Sequence, residues 1–227
     1  MKIGVLFSGQ PRCIDKCLPY WKENLFDQYD TTHYMHCWWD YTKIGQRYRT
    51  SRNEFQAIVL SDTLKILAED YKLKQHLYLQ TPISFPTDFK STIQPNDPGF
   101  IFAIQSMWYS RFKVWQLFRG CDHLESYDWI IVSRIDLTFF EKLHFNLDPE
   151  YIHTYHDCKH TDYCLNDHFA IMKPDLIKYY CGLYVEIYRL YAEGVPYCSE
   201  TFLGAFLKEQ QIKSKHYNIK YKQAEYT

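Results

Sequence analysis

Two charged residues stand where a buried strand should end. Trp129-Ile130-Ile131-Val132 is a short apolar run rich in β-branched residues, the pattern of a strand buried on both faces. Ser133-Arg134-Ile135-Asp136 follows at once. Charges there cost too much desolvation to persist unless they are paired or coordinated. The carboxyl ends of central strands are also where ligands bind in open α/β sheets. The plainer alternative is an Arg134–Asp136 pair that closes the strand. A second polar cluster, Ser8-Gly9-Gln10-Pro11-Arg12, directly follows an apolar run at residues 3–7. Gly9 lets the backbone approach a ligand, and the Arg12 guanidinium forks onto phosphate or carboxylate. Two further carboxylates stand out. Asp167 comes just before the apolar run Phe169-Ala170-Ile171-Met172, and no helix start explains its charge. Partial desolvation there would raise its pKa toward a value useful in a general base. Glu200, in Pro196-Tyr197-Cys198-Ser199-Glu200-Thr201, also reads as a first-turn charge suited to the helix dipole.

The elements that must hold these residues follow from periodicity. Residues 2–7 read as a strand that feeds the polar loop and then an amphipathic helix to about residue 26, a natural nucleotide site. A strand over 32–39 follows, where His36 reads as a satisfied sheet residue. Residues 42–52, with Lys43, Arg47, Arg49 and Arg52, read as a basic surface loop or a lid. Helical spacing covers 53–71, and residues 76–80 form a short strand. Residues 81–98 carry four prolines and no apolar periodicity, and read as a long flexible connection. A strong helix spans 99–120, and the strand at 129–132 comes next. Beyond residue 140 come a strand at 169–172, a helix from Pro174 to Glu193 closed by Gly194, and a helix over 202–210 with Ser199 as its cap. Residues 212–222 end the chain as an edge strand. Strands alternating with helices predict one α/β domain with a mostly parallel central sheet flanked by helices.

Composition narrows the function classes. Net charge is −1 with no basic block, which argues against extended nucleic-acid binding. No apolar run is long enough for a transmembrane helix, and the N-terminus lacks the features of a signal peptide, so a cytoplasmic location is expected. The eight scattered cysteines then read as reduced, mostly buried thiols. Aromatic residues make up 19% of the chain, which supplies rings both for a core and for stacking on sugars or bases. His153, His156, Cys158, His160 and Cys164 are zinc-ligand types, but no C-x-x-C pair is present and the spacing matches no standard module. That stretch reads as a polar loop on the acceptor side.

S-G-Q-P-R after the first strand, R-x-D-L after the central strand and N-D-x-F-A-I further on resemble the GT-A-fold glycosyltransferases, in particular the small polysaccharide-building enzymes of bacteria and large viruses. The resemblance is in layout over most of the chain and in residues over these three patches. It implies a Rossmann-like domain over 1–227, with a nucleotide-binding half at 1–140 and an acceptor-side half at 141–227. It implies a nucleotide-diphosphate sugar as donor and a glycan or other hydroxyl compound as acceptor. Asp136 matches the last Asp of the family's D-x-D and would hold Mn²⁺ or Mg²⁺, while Arg134 replaces the first Asp and would meet phosphate or orient Asp136. Ser8, Gly9, Gln10 and Arg12 would lie against the nucleotide. In similar enzymes the helix before the metal strand lines the nucleotide pocket, which points to Gln105, Tyr109 and Lys113 on one face at i, i+4 spacing. Asp167 and Glu200 would face the acceptor, and His216 stands where the family often supplies a histidine to the metal.

The expected activity is therefore metal-assisted glycosyl transfer. A non-catalytic nucleotide-sugar or glycan-binding module is the alternative, since the D-x-D is incomplete. A nucleotidyltransferase ranks third, because S-G-Q-P-R is a poor version of its glycine-rich loop.

Overall fold

The computed structural model describes residues 1–45, 47–49, 56–58, 60–73, 75–90, 98–121, 123–155 and 161–224. In chain order the elements are β1 (Lys2–Gly9), α1 (Ile14–Trp21), β2 (Asp30–Trp38), the pair β3 (Arg47–Arg49) and β4 (Gln56–Ile58), α2 (Thr63–Lys65), β5 (Leu77–Gln80) and α3 (Pro98–Cys121). Then follow β6 (Trp129–Arg134), β7 (Leu137–Phe139), β8 (Tyr151–Thr154), β9 (Phe169–Met172), α4 (Ile177–Cys181), α5 (Leu183–Ala192), α6 (Ser199–Glu209), β10 (Lys213–His216) and β11 (Tyr221–Gln223).

Seven strands form the central sheet in the order β10-β8-β9-β6-β1-β2-β5. β6, β1, β2 and β5 run parallel, and only β9 runs against its neighbours β6 and β8. The expected α/β domain with a mostly parallel sheet is what the chain forms. β1 and β6 are apolar all along because both of their faces are covered. Ile3, Val5, Phe7, Trp129 and Ile131 pack on the side of α1, against Ile14, Cys17 and Trp21. Leu6, Ile130 and Val132 pack on the other side, against Ile104, Trp108 and Phe118 of α3. Gly4 is small because a Cβ there would meet Ile130 Cδ1 at 2.7 Å.

From β1 the chain winds outward through β2 to β5, and α3 then carries it back to β6 on the other side of β1. The order of the strands therefore reverses between β1 and β6. The crevice at their carboxyl ends is a topological switch point, the usual ligand position in such sheets.

Several expected elements take a different form. The helix expected over 53–71 is shorter: β4 stands near its start, and helix runs only from Thr63 to Asp70, α2 continuing into a π-helical turn at Ile66–Asp70. The loop expected over 42–52 includes β3, which pairs antiparallel with β4. The side chains of Lys43, Arg47, Arg49 and Arg52, named for a lid, lie outside the described residues, as do His156, Cys158 and His160. The helix expected to run unbroken from Pro174 is split at Gly182, where a Cβ would lie 2.3 Å from the Lys178 carbonyl oxygen. Gly194, at φ +91°, ends α5 as expected. The C-terminal edge strand is two strands, β10 on the main sheet and β11 paired with β7.

The segment expected to be flexible is tied down over residues 81–90. Gln105 donates to the Pro86 carbonyl, Lys90 N donates to Tyr191 Oη at 3.1 Å, and Phe89 stacks on Tyr197. The expectation that all eight cysteines are reduced fails at Cys164, which is disulfide-bonded. Cys13, Cys17, Cys37, Cys181 and Cys198 are buried thiols, and Cys121 is an exposed one. No helix among the described residues is long and apolar enough to cross a membrane.

Candidate active site

A cavity of about 460 Å³ opens at the carboxyl ends of β1 and β6. Ser8, Gly9, Gln10, Arg12, Arg134 and Asp136 line it together with Asp167, Ser199 and Glu200. Residues far apart in the chain meet here for identifiable reasons. β6 and β1 are in parallel register, with Arg134 beside Ser8, so the two loops emerge side by side. β9 runs antiparallel to β6, with Phe169 opposite Ser133, so the residues before β9 return to the end of β6. Arg134 N donates to the His168 carbonyl at 3.2 Å, which fixes Asp167 near the charged pair. α6 then presents its first turn, with Ser199 Oγ donating to Asp167 Oδ2.

The Arg134–Asp136 pair is real and has a third and a fourth member. Arg134 Nε donates to Asp136 Oδ1 at 2.9 Å, and its Nη2 donates to Oδ2 at 2.9 Å. Arg12 Nε donates to Oδ2 at 2.9 Å, and Gln223 Nε2 donates to the same oxygen at 3.1 Å. Asp136 is only 3% exposed. Burial alone would raise its pKa, but Arg134 and Arg12 together hold the carboxyl well below the usual carboxylate range. Arg12 is brought in by a loop with two left-handed residues, Gly9 at φ +110° and Cys13 at φ +56°. Glycine suits the first position, and the second is held by its place at the start of α1.

These residues do not fit a resident divalent cation as they stand. Both Asp136 oxygens already accept from guanidinium groups, and a dication beside Arg12 and Arg134 would be repelled by both. Among the described residues, no group of three or more His, Cys, Asp or Glu is placed to hold a metal. His216 is exposed on β10, with its ring against Tyr155, and is not part of the cavity lining.

Asp167 is 6% exposed. Burial pushes its pKa up, but Arg111, His168, Ser199 and Arg134 outweigh burial, and the carboxyl lies below its usual value. The expected upward shift is thus corrected. The cause is Arg111, a fully buried residue of α3 whose Nη2 donates to the Asp167 carbonyl. Its guanidinium carbon lies 4.4 Å from the Trp108 ring centroid and 5.7 Å from that of Tyr180. Ser199, expected as a helix cap, makes no capping bond. It accepts from Trp108 Nε1 at 2.8 Å and donates to Asp167 instead. Glu200 is half-buried in the first turn of α6 and accepts from Cys198 Sγ at 2.8 Å.

The three α3 residues expected in a nucleotide pocket lie outside the lining. Gln105 is buried, donates to Pro86 and accepts from Tyr188 Oη at 2.9 Å. Tyr109 stacks on Trp38 at 5.4 Å and bonds Gln80. Lys113 donates to Gln116 Oε1 at 3.2 Å. The helix presents Phe100, Ala103, Ile104 and Met107 to the cavity instead, with Trp38 of β2 beside them. Those four follow i, i+3, i+4, i+7 spacing, so the signal was present in the sequence as an apolar stripe. Gln223 carried no such signal.

No protein-family model and no curated protein matches the chain. Among solved structures it is similar to a glycosyltransferase involved in the glycosylation of the major capsid of PBCV-1, at 11% identity and a TM-score of 0.44, over 96% of this chain and 83% of that one. Similarity at that level assigns no chemistry, which has to be read from the cavity.

Two guanidinium groups, three carboxylates and an apolar wall line the cavity. Ser8 Oγ is buried and has no hydrogen-bond partner among the described residues. A buried hydroxyl left so costs roughly 1–3 kcal/mol, which a bound acceptor group would recover. His36, beside the wall, is held by Ser110 Oγ at 2.7 Å and Gln80 Oε1 at 3.0 Å, and burial lowers its pKa to about 4. It is a neutral structural histidine.

Proposed function

We propose that this chain is a glycosyltransferase that moves a hexosyl or pentosyl group from a nucleotide-diphosphate sugar to a glycan or other hydroxyl acceptor. The observation that carries this reading is that one cavity, at the switch point of the sheet, gathers two guanidinium groups with unused N–H donors, an apolar wall and the carboxylates Asp167 and Glu200. The nucleotide part of the donor lies along the apolar wall of Trp38, Phe100, Ile104 and Met107. The diphosphate faces Ser8, the Gly9–Arg12 loop and Arg134. The sugar then reaches toward Asp167 and Glu200, where the acceptor hydroxyl enters.

In the transfer, the acceptor oxygen bonds to the anomeric carbon as the bond from that carbon to the diphosphate oxygen breaks. The diphosphate leaves with the electron pair, and the acceptor's proton passes to a carboxylate. Asp167 is ionised well below neutral pH, and its Oδ2 is held by Ser199, which leaves Oδ1 as the basic oxygen. Glu200 positions the acceptor beside it. In this reading residues 1–140 serve the donor and 141–227 the acceptor, with Gln223 returning to support the donor end.

The test is a thermal-shift panel of UDP- and GDP-sugars, followed by detection of free nucleotide diphosphate when hydroxyl acceptors are added. Both are run with and without Mn²⁺. A ligand at a hundred times its Kd adds about 2.7 kcal/mol, or roughly 5–10 °C for a chain of this size. Binding without turnover for every acceptor class would instead make the chain a binding module. No stabilisation by any nucleotide sugar would refute the donor reading.

A further inference from the structure

Arg134 spends Nε and Nη2 on Asp136, and Arg12 spends Nε. Among the described residues, no protein acceptor meets Arg134 Nη1 or Arg12 Nη1 and Nη2. Both guanidinium groups line the cavity, with side chains 20% and 23% exposed. Asp136 sits between the two guanidinium groups and takes only three of their N–H groups, while Asp167 acts on Arg134 from the same cavity without an ion pair to it. Ser8, whose buried hydroxyl has no partner among the described residues, lines the same cavity. Two planar forks with unused N–H groups, held at 2.9 Å on one shared carboxylate, match the oxygens of a diphosphate.

We propose that Arg12 and Arg134, oriented by Asp136, bind the diphosphate of the donor directly and take the place of a divalent cation. The proposal rests on the donor reading above. Asp136 is then a positioning residue that fixes the planes of the two guanidinium groups and moderates their charge. As the diphosphate leaves, the negative charge on its oxygens falls on fixed N–H donors that need no reorganisation.

A cation-binding Asp136 and an arginine-orienting Asp136 predict opposite signs. If Asp136 held a metal, Asp136→Asn would abolish diphosphate binding. If it orients the arginines, the same change removes an anion that competes for them. Titration calorimetry of the full chain with inorganic pyrophosphate, UDP and GDP, in EDTA and then in Mn²⁺, separates the two. The expected result is binding in EDTA within ~3-fold of the Mn²⁺ value, a difference under 1 kcal/mol. Arg12→Gln and Arg134→Gln each weaken it at least ~10-fold, the size of a charge-assisted hydrogen bond. Asp136→Asn keeps or tightens it. Asp136 is buried, so circular dichroism must show that variant folded. Arg12→Gln, at a partly exposed residue, carries the test if it is not.

Binding that needs Mn²⁺, or that survives both arginine changes, overturns the proposal. So does the absence of pyrophosphate and nucleotide binding under either condition. Turnover of a nucleotide sugar only with Mn²⁺ would keep the donor reading and sink this one. Arginine-dependent pyrophosphate binding in EDTA, with no nucleotide sugar bound or turned over, would keep the site and sink the donor reading.

Discussion

Replacing Arg111 by Met should destabilise the protein in a way that depends on pH. Arg111 is fully buried, donates to the Asp167 carbonyl and is the largest of the causes that hold the Asp167 carboxyl down against burial. Arg111 makes no contact ion pair with that carboxylate, but removing it deletes the charged bond to the carbonyl and leaves a buried carboxylate without its largest compensating charge, together about 3–5 kcal/mol. Two terms reduce that cost here. Arg111 Nε and Nη1 have no partner among the described residues of the wild type, so their desolvation penalty of roughly 1–3 kcal/mol disappears. Methionine also keeps apolar contact with the Trp108 and Tyr180 rings. A net loss of about 2–3 kcal/mol at pH 7 follows, or roughly 4–12 °C in Tm for a chain of this length.

In the wild type the depressed Asp167 pKa contributes stability above the unfolded value of about 3.9, and this is lost as pH falls through the folded pKa. In the variant, burial lifts the same carboxyl, so the penalty present at pH 7 fades as the group takes up a proton. The difference between the two proteins should therefore shrink between pH 7 and about pH 4. Urea titrations across that range measure it. Adding Asp167→Asn to the Met variant should restore at least ~1 kcal/mol at pH 7, since the uncompensated charge is gone. A loss that stays constant across pH, or one below ~1 kcal/mol at pH 7, would refute the pairing.

Asp167→Asn should lower turnover at least ~10²-fold with donor affinity nearly unchanged, while Glu200→Gln acts mainly on acceptor KM. Because the Asp167 carboxyl lies below its usual value, kcat/KM should stay level as pH falls from 8 to about 5; an acid limb near pH 6 tied to Asp167 would contradict this. Ser8→Ala should leave Tm unchanged or slightly higher, because a buried orphan hydroxyl is removed, and should weaken pyrophosphate binding in calorimetry. Gln105→Ala should cost about 1–2 kcal/mol in urea titration through its lost bonds to Pro86 and Tyr188, with no change in nucleotide affinity.

The local physics of short segments was legible in the sequence. The run Trp129–Val132 had to be a doubly buried strand, because nothing else accommodates four consecutive apolar residues followed by two charges. The polar loop after β1, the glycine ending α5 and the α/β layout were readable for the same kind of reason. Asp136 could be seen as a buried charge that needs partners, but Arg12 and Gln223, 124 and 87 residues away in sequence, became those partners only through strand order and register. Asp167 was legible as an unexplained carboxylate. The sign of its pKa shift was not, because it depends on Arg111, which only the placing of α3 beside the loop that leads into β9 brings within reach. On α3 the polar i, i+4 set lies outside the cavity lining. Gln105 and Tyr109 are spent on neighbouring segments, and the cavity takes the apolar stripe one helical step away. Short-range periodicity says which faces a helix has. Only the tertiary structure decides which face meets core and which meets ligand, because that depends on where the rest of the chain has already put its apolar surface.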